Sequence, residues 1–278
     1  KSKKSLVAYL VDKSSSADTQ VEEIDSVAED KQARLVEFKL SKPGLRKPMA
    51  TDKETPLPPL SQNEEAYTRR KSYREYLGDQ LQPQQLSEVL GCLSACIRND
   101  LPMPKYRYAS AGSLHPVQVY IYVKADGIKG LEQGFYYYHP ENHNLVRLAH
   151  QPELTRALWG RGENPNIFDR SAFSLFLVGE LDAIEPVYGA EGAREMMYLE
   201  AGNMSQLLME SSPQYKVGLC PIGYIDKEIE QLLSLNTSQS ILHCIVGGAV
   251  TEDQIRAWSA EPSSQNSQNG SKSNYQDV

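Results

Sequence analysis

The sequence predicts an α+β fold, a mainly antiparallel central sheet flanked by helices. Three observations carry that expectation. Strand-like and helix-like stretches alternate without the regular rhythm of strand–helix–strand units. Two strand-like runs, Gly134 to His139 and Leu145 to Leu148, are joined by Pro140-Glu141-Asn142-His143-Asn144 and read as a hairpin. The continuous apolar run Phe173 to Val178 reads as a central strand.

The elements follow in order. Leu6-Val7-Ala8-Tyr9-Leu10-Val11 is apolar and bounded by Lys and Asp, so it reads as a short strand. A lone strand is not stable by itself. Residues 12–33 are rich in Ser, Asp and Glu and describe a solvated linker. Leu35-Val36-Glu37-Phe38-Lys39-Leu40 is strand-like. Pro43, Pro48, Pro56, Pro58 and Pro59 then mark an irregular, extended segment. Pro83 stands where a helix can start, and Leu86, Val89, Leu90, Leu93 and Ile97 recur at helical spacing. Val117 to Val123 is a strand. Ala193 to Glu210 is a long helix. Asp226 is placed to cap a helix carrying Ile229, Leu232 and Leu233. Ile241 to Val246 is a last strand, before Gly247-Gly248. From about Glu261 the chain is rich in Ser, Gln, Asn and Gly, a mobile tail. The expected organisation is a short strand at 1–11, a linker at 12–33, the main domain at 34–252 and a tail at 253–278.

Composition narrows the function. The 278 residues, 40% of them hydrophobic, suffice for a substantial core. The net charge of −7 argues against a nucleic-acid binder, which would present a basic patch. No apolar run approaches the length of a membrane span, and no signal-peptide pattern opens the chain. The chain opens on Lys1 rather than Met, as expected of a piece excised from a longer protein. Cys92, Cys96, Cys220 and Cys244 form no disulfide framework, which fits a reducing cytoplasm. Neither they nor His115, His139, His143, His150 and His243 show metal-ligand spacing, so no metal is expected. No Walker lysine loop and no G-x-G-x-x-G after a strand is present.

Two stretches carry chemistry. Arg69-Arg70-Lys71-Ser72-Tyr73-Arg74 packs guanidinium groups and a hydroxyl into six residues, and guanidinium binds phosphate bidentately. Some forty residues on, Tyr106-Arg107-Tyr108-Ala109-Ser110-Ala111-Gly112-Ser113-Leu114-His115-Pro116 is a small-residue turn leading into a strand. Such a turn lets backbone N–H groups approach a flat ligand closely.

In this order and at this distance the two stretches resemble the flavin-binding signature of the nitroreductase-like flavoproteins. Gly134-Phe135-Tyr136-Tyr137-Tyr138-His139-Pro140, Ile184-Glu185-Pro186-Val187-Tyr188-Gly189, Leu199-Glu200-Ala201-Gly202-Asn203-Met204-Ser205-Gln206-Leu207-Leu208 and Gly218-Leu219-Cys220-Pro221-Ile222-Gly223 continue the series. Over residues 34–250 it is similar to the azoline-oxidase branch, most of all to oxidase domains embedded in nonribosomal peptide synthetases. The resemblance implies a nitroreductase-like fold, dimeric, with FMN at the subunit interface. It implies that Arg70, Ser72 and Arg74 hold the phosphate and ribityl chain, with Arg69 able to substitute for Arg70. Ser110, Ala111, Gly112 and Ser113 would contact the flavin of the partner subunit, and Pro221, Ile222 and Gly223 would line its ring.

The implied reaction is oxidation of a thiazoline or oxazoline, carried on the phosphopantetheine arm of a peptidyl carrier protein, to thiazole or oxazole. Neighbouring adenylation and cyclisation domains would be partners, and Leu6 to Val11 either a remnant of a host adenylation domain or an edge strand of this one. In ribosomal-peptide azoline oxidases a Lys-Tyr pair is associated with proton removal. Here Val187-Tyr188 aligns with it, which leaves Tyr188 as the candidate base and Lys216 and Glu200 as fallbacks. Two further readings stay open: Cα–Cβ desaturation of a carrier-bound amino acid, and a non-catalytic module that keeps the flavin fold for docking or dimerisation.

Overall fold

The structure is a computed structural model that describes residues 34–61, 63–160 and 162–258. The strand expected at Leu6 to Val11, the linker at 12–33 and the tail beyond Trp258 lie outside the described residues. The chain divides into two units, Lys1–Ser61 and Gln62–Val278, so residues 34–61 group with the first.

In the first unit, residues 34–40 are helical, not the strand expected at Leu35 to Leu40. An isolated strand leaves its N–H and C=O groups without partners, whereas a helix satisfies them within itself. Phe38 and Leu40 are exposed, so no packing opposes the helix. Ser41 closes it, with its N–H on the Glu37 carbonyl at 3.0 Å and its hydroxyl on the Phe38 carbonyl at 2.6 Å.

The second unit is a six-stranded sheet in the order β3-β2-β1-β4-β6-β5, antiparallel throughout. The strands are β1 (Val117–Val123), β2 (Gly134–His139), β3 (Asn144–Arg147), β4 (Phe173–Glu180), β5 (Val217–Ile222) and β6 (Gln239–Ala249). β4 is buried on both faces, as its apolar run requires. Against it β1 sets Tyr120 opposite Phe176, and β6 sets Cys244 opposite Phe176. β4 and β6 slip register between Leu177 and Val178.

The helices are α1 (Glu64–Arg69), α2 (Pro83–Gly91), α3 (Asn164–Arg170), α4 (Glu185–Ser211), α5 (Glu228–Leu232) and α6 (Glu252–Arg256). One face of the sheet packs Ile121, Leu175 and Leu177 against Met197, Ala201 and Met204 of α4 and Leu86 and Leu90 of α2. The other packs Phe135, Phe176 and Val246 against Trp159 and Phe168, whose rings stack at 4.4 Å. α4 begins eight residues before the expected Ala193, but Gly189 (φ 71, ψ 162) breaks it near its start. α2 ends at Gly91, so Ile97 is exposed beyond it rather than on its apolar face. Lys227 is the boundary residue of α5, and the Asp226 carboxylate accepts the Glu228 N–H at 2.9 Å. Residues 253–256, expected in the tail, are instead helical, because α6 is held by the reciprocal cap of Thr251 and Gln254 and by buried Ile255 against Tyr73 and Val250.

Candidate functional site

The arginine-rich stretch is a strap over the β5–β6 end of the sheet. Tyr73 N–H donates to the Leu219 carbonyl at 3.0 Å, and Leu77 N–H to the Ala249 carbonyl at 2.8 Å. The strap lies this close because two glycines face it. A Cβ on Gly218 would stand 2.7 Å from the Tyr73 side chain and 2.6 Å from Val250, and one on Gly248 would stand 2.8 Å from the Tyr76 ring. Tyr73 is buried and its hydroxyl donates to the Arg69 carbonyl at 2.8 Å, so the backbone under the arginines is fixed. Burial pushes its phenol up to about 12, keeping it a neutral donor.

The cations of the strap differ. Arg69 is paired with Glu65 one helical turn back, at 2.8 Å. Lys71 donates to the Ala257 carbonyl and lies 5.2 Å over the Tyr73 ring. Arg70 and Arg74 are exposed and form no ion pair among the described residues. Arg70 borders a hollow of about 260 Å³ with Tyr67 and Gln206. Arg74 lies near enough to Cys220 to favour its thiolate, although burial leaves that thiol raised. Ser72, between Arg70 and Arg74 in sequence, is half-buried. The strap meets β5 at Leu219, and further along that strand Pro221 is half-buried, Ile222 buried and Gly223 exposed, with nothing within 4 Å of a Cβ at Gly223. Pro221 is tolerated because β5 is an edge strand. A cleft of about 470 Å³ opens past it, lined among others by Tyr224, Asp226, Lys227, Glu230 and His243.

The second stretch forms a strained turn. Ala111–Ser113 is a single 3-10 turn, with Gly112 at φ 60, Ser113 at φ 56 and His115 at φ 49. Left-handed non-glycine residues cost about 1 kcal/mol or more each and persist where surroundings over-determine them. Here the Ser110 hydroxyl accepts the His115 N–H at 2.9 Å, and the Asn203 amide of α4 donates to the Ala109 carbonyl at 3.2 Å.

Two further side chains of α4, on either side of its break at Gly189, meet this turn. Tyr188, 39% exposed, places its hydroxyl 3.1 Å from where a Gly112 Cβ would lie. Glu200, 1% exposed, accepts the Val117 N–H just beyond the turn at 3.3 Å. Burial pushes the Glu200 carboxyl up to about 7, against the Ser110 hydroxyl and Val117 N–H, which favour its ionised form. Lys216, the other fallback, is left-handed (φ 59) at the start of β5, exposed and 3.7 Å from Glu252. The chain carries Arg70, Ser72 and Arg74 on the strap, with Arg70 facing Gln206 and Glu210 of α4 and Arg74 near Cys220 of β5, and brings Ser110 to Ser113 together with Tyr188 and Glu200. His115 had only its place in the turn motif to mark it. Glu200 had a clearer signal, a carboxyl among Met197, Ala201 and Met204 at helical spacing.

Among the described residues no three His, Cys, Asp or Glu gather as for a metal ion, and no helix is long and apolar enough to cross a membrane. The chain is similar to part of two indigoidine synthases. It is 34% identical over 126 residues to that of Dickeya dadantii, covering 45% of this chain and 7% of the relative. It is 28% identical over 155 residues to that of Streptomyces lavendulae, covering 56% and 11%. The chain thus spans about a tenth or less of the length of these relatives. Its fold is similar to that of a chain in the E. coli microcin synthetase McbBCD complex with truncated pro-MccB17 bound, with TM-score 0.60, 17% identity, and coverage of 88% of this chain and 97% of that one. Residues 67–248 match the model of the Nitroreductase family. With its antiparallel sheet, its strap and its turn in place, the chain belongs to the nitroreductase family of oxidoreductases.

Proposed function

We propose that this chain is an FMN-dependent oxidase that dehydrogenates a carrier-protein-bound thiazoline or oxazoline to thiazole or oxazole. The observation that carries the reading is the seat of Tyr188, an accessible phenol resting on the small-residue turn at Gly112. The match to a small part of two far longer synthases supports a module beside other domains of a synthase; on this reading its substrate arrives on a peptidyl carrier protein.

The residues present fit FMN. Arg70 and Arg74 are free to meet a phosphate, Ser72 stands between them in sequence, and Gly223 leaves open space just past the end of β5. Ser110 to Ser113 would reach the flavin of a partner subunit, and Pro221 to Gly223 would line its ring. Bound FMN supplies a two-electron acceptor at N5, with dioxygen as final acceptor. The azoline gives up a hydride and a proton, and aromatisation supplies part of the driving force. Tyr188 takes or relays the proton.

Val187, 63% exposed beside Tyr188, puts no ammonium where the resemblance expects one. That observation favours a second reading, a non-catalytic docking or dimerisation module. Anaerobic mixing of the flavin-loaded protein with a synthetic thiazoline thioester decides between them. The oxidase reading expects bleaching of the flavin absorbance and a thiazole product. Tyr188→Phe should keep its FMN and react about a hundredfold more slowly. Bleaching by an aminoacyl thioester alone would assign the desaturase, and bleaching by neither the docking module.

A further inference from the structure

Residues 70–77 of the strap are extended but belong to no strand of the sheet. Such a segment keeps one shape only where bonds along its length fix it. The sheet supplies two of them, at the Tyr73 and Leu77 N–H groups. α6 supplies two more. Lys71 Nζ donates to the carbonyl of Ala257, which ends α6, and Gln254 Nε2 donates to the Glu75 carbonyl at 3.2 Å. Between these bonds Ile255, 3% exposed, packs with buried Tyr73 and Val250. Positions 71, 73, 75 and 77 are thus held alternately by α6 and by the sheet. Arg70, Ser72 and Arg74 occupy the intervening positions, and neither guanidinium forms an ion pair among the described residues.

α6 cannot stand alone, because a helix of five residues makes too few hydrogen bonds to offset its nucleation. Its reciprocal cap and the packing of Ile255 keep it formed, so helix and strap are ordered together. We propose that α6 is a clamp on the strap, and that Gln254 and Ile255 are positioning residues for Arg70 and Arg74. Neither carries a charge. Each fixes the backbone from which the guanidinium groups reach a phosphate. The clamp therefore favours a flavin that bears a phosphate over one that does not. This rests on the phosphate site proposed above, but its first test needs no flavin.

Two variants of the full-length protein test it. Gln254→Glu keeps an oxygen for the Thr251 N–H, so the cap survives, but its carboxylate has no N–H for the Glu75 carbonyl. Ile255→Asp sets a charge in the apolar contact with Tyr73. Hydrogen exchange at the Tyr73 and Leu77 amides reads the strap, and exchange at the amides of β4 reads the sheet. Gln254→Glu should quicken strap exchange about tenfold while β4 keeps its protection. Ile255→Asp should quicken it further. Strap exchange unchanged by Gln254→Glu would overturn the proposal, and that variant decides if Ile255→Asp fails to fold. Fluorescence titration with FMN and with riboflavin, which lacks the phosphate, reads the positioning. FMN affinity should fall in each variant by the factor by which the closed fraction of the strap falls, and riboflavin affinity should hold. Equal losses for the two flavins would make α6 a structural support and overturn the positioning role. Unchanged FMN affinity in a variant whose strap is open would do the same. Wild type that binds FMN no more tightly than riboflavin would remove the phosphate site, and the positioning role with it. If FMN affinity responds as expected while no thioester reduces the flavin, the proposed oxidase fails and the clamp stands.

Discussion

Arg69, Arg70 and Arg74 read alike in the sequence, as three guanidinium groups within six residues. The structure separates them by what each already holds: Arg69 is engaged with Glu65, while Arg70 and Arg74 are free. Charge-assisted hydrogen bonds to a phosphate contribute about 1.5–3 kcal/mol each. Arg70→Ala should therefore weaken FMN binding by about tenfold or more, and Arg70→Ala/Arg74→Ala should purify without flavin. Arg69→Ala should cost little, because an exposed pair is worth about 0–1 kcal/mol. Flavin content and fluorescence titration measure all three, and stoichiometric FMN in the double variant would remove the phosphate assignment. The cluster of cations was legible, because residue type carries it. The choice among neighbours was not, since Glu65 competes for Arg69 only once α1 places them one turn apart.

At the scale of elements, the sheet was largely legible and the strap was not. β1, β2 and β4 fall where alternation and apolar runs put them, because a strand in a sheet must match its side chains to two fixed faces. Residues 35–40 lacked that constraint and are helical. The strap depends on a long-range fit between Tyr73 and the bare backbone of Gly218, 145 residues away, which no local pattern encodes. Gly218→Ala tests it. The added methyl would meet Tyr73 and Val250 at under 3 Å, and overpacking of this kind costs about 1–3 kcal/mol. Urea denaturation should show that loss, and flavin affinity should fall with it as the strap lifts. Unchanged stability would mean the strap is not held by this contact.

At the scale of the whole molecule, the turn at Ser110–Ser113 and the strap at Arg70–Arg74 are carried by different elements, which suits a flavin shared between two copies of the chain. Tyr198 and Leu199 stand exposed on α4, 60% and 62%, as apolar surface available to a partner. Light scattering of the flavin-loaded protein should give a dimer, and a 31.1 kDa monomer holding FMN would sink that arrangement. The sequence by itself determined the fold class, the central strand, the long helix and the motifs that resemble a flavin site. These follow from residue type and short-range period, which survive without three-dimensional context. Only the tertiary structure decided which arginines are free, that Tyr188 rests on Gly112, and that Glu200 is buried without a counter-charge beneath the same turn. Those are properties of contacts between segments far apart in the chain, and a carboxyl's protonation is set by the dielectric and charges around it rather than by its neighbours in sequence.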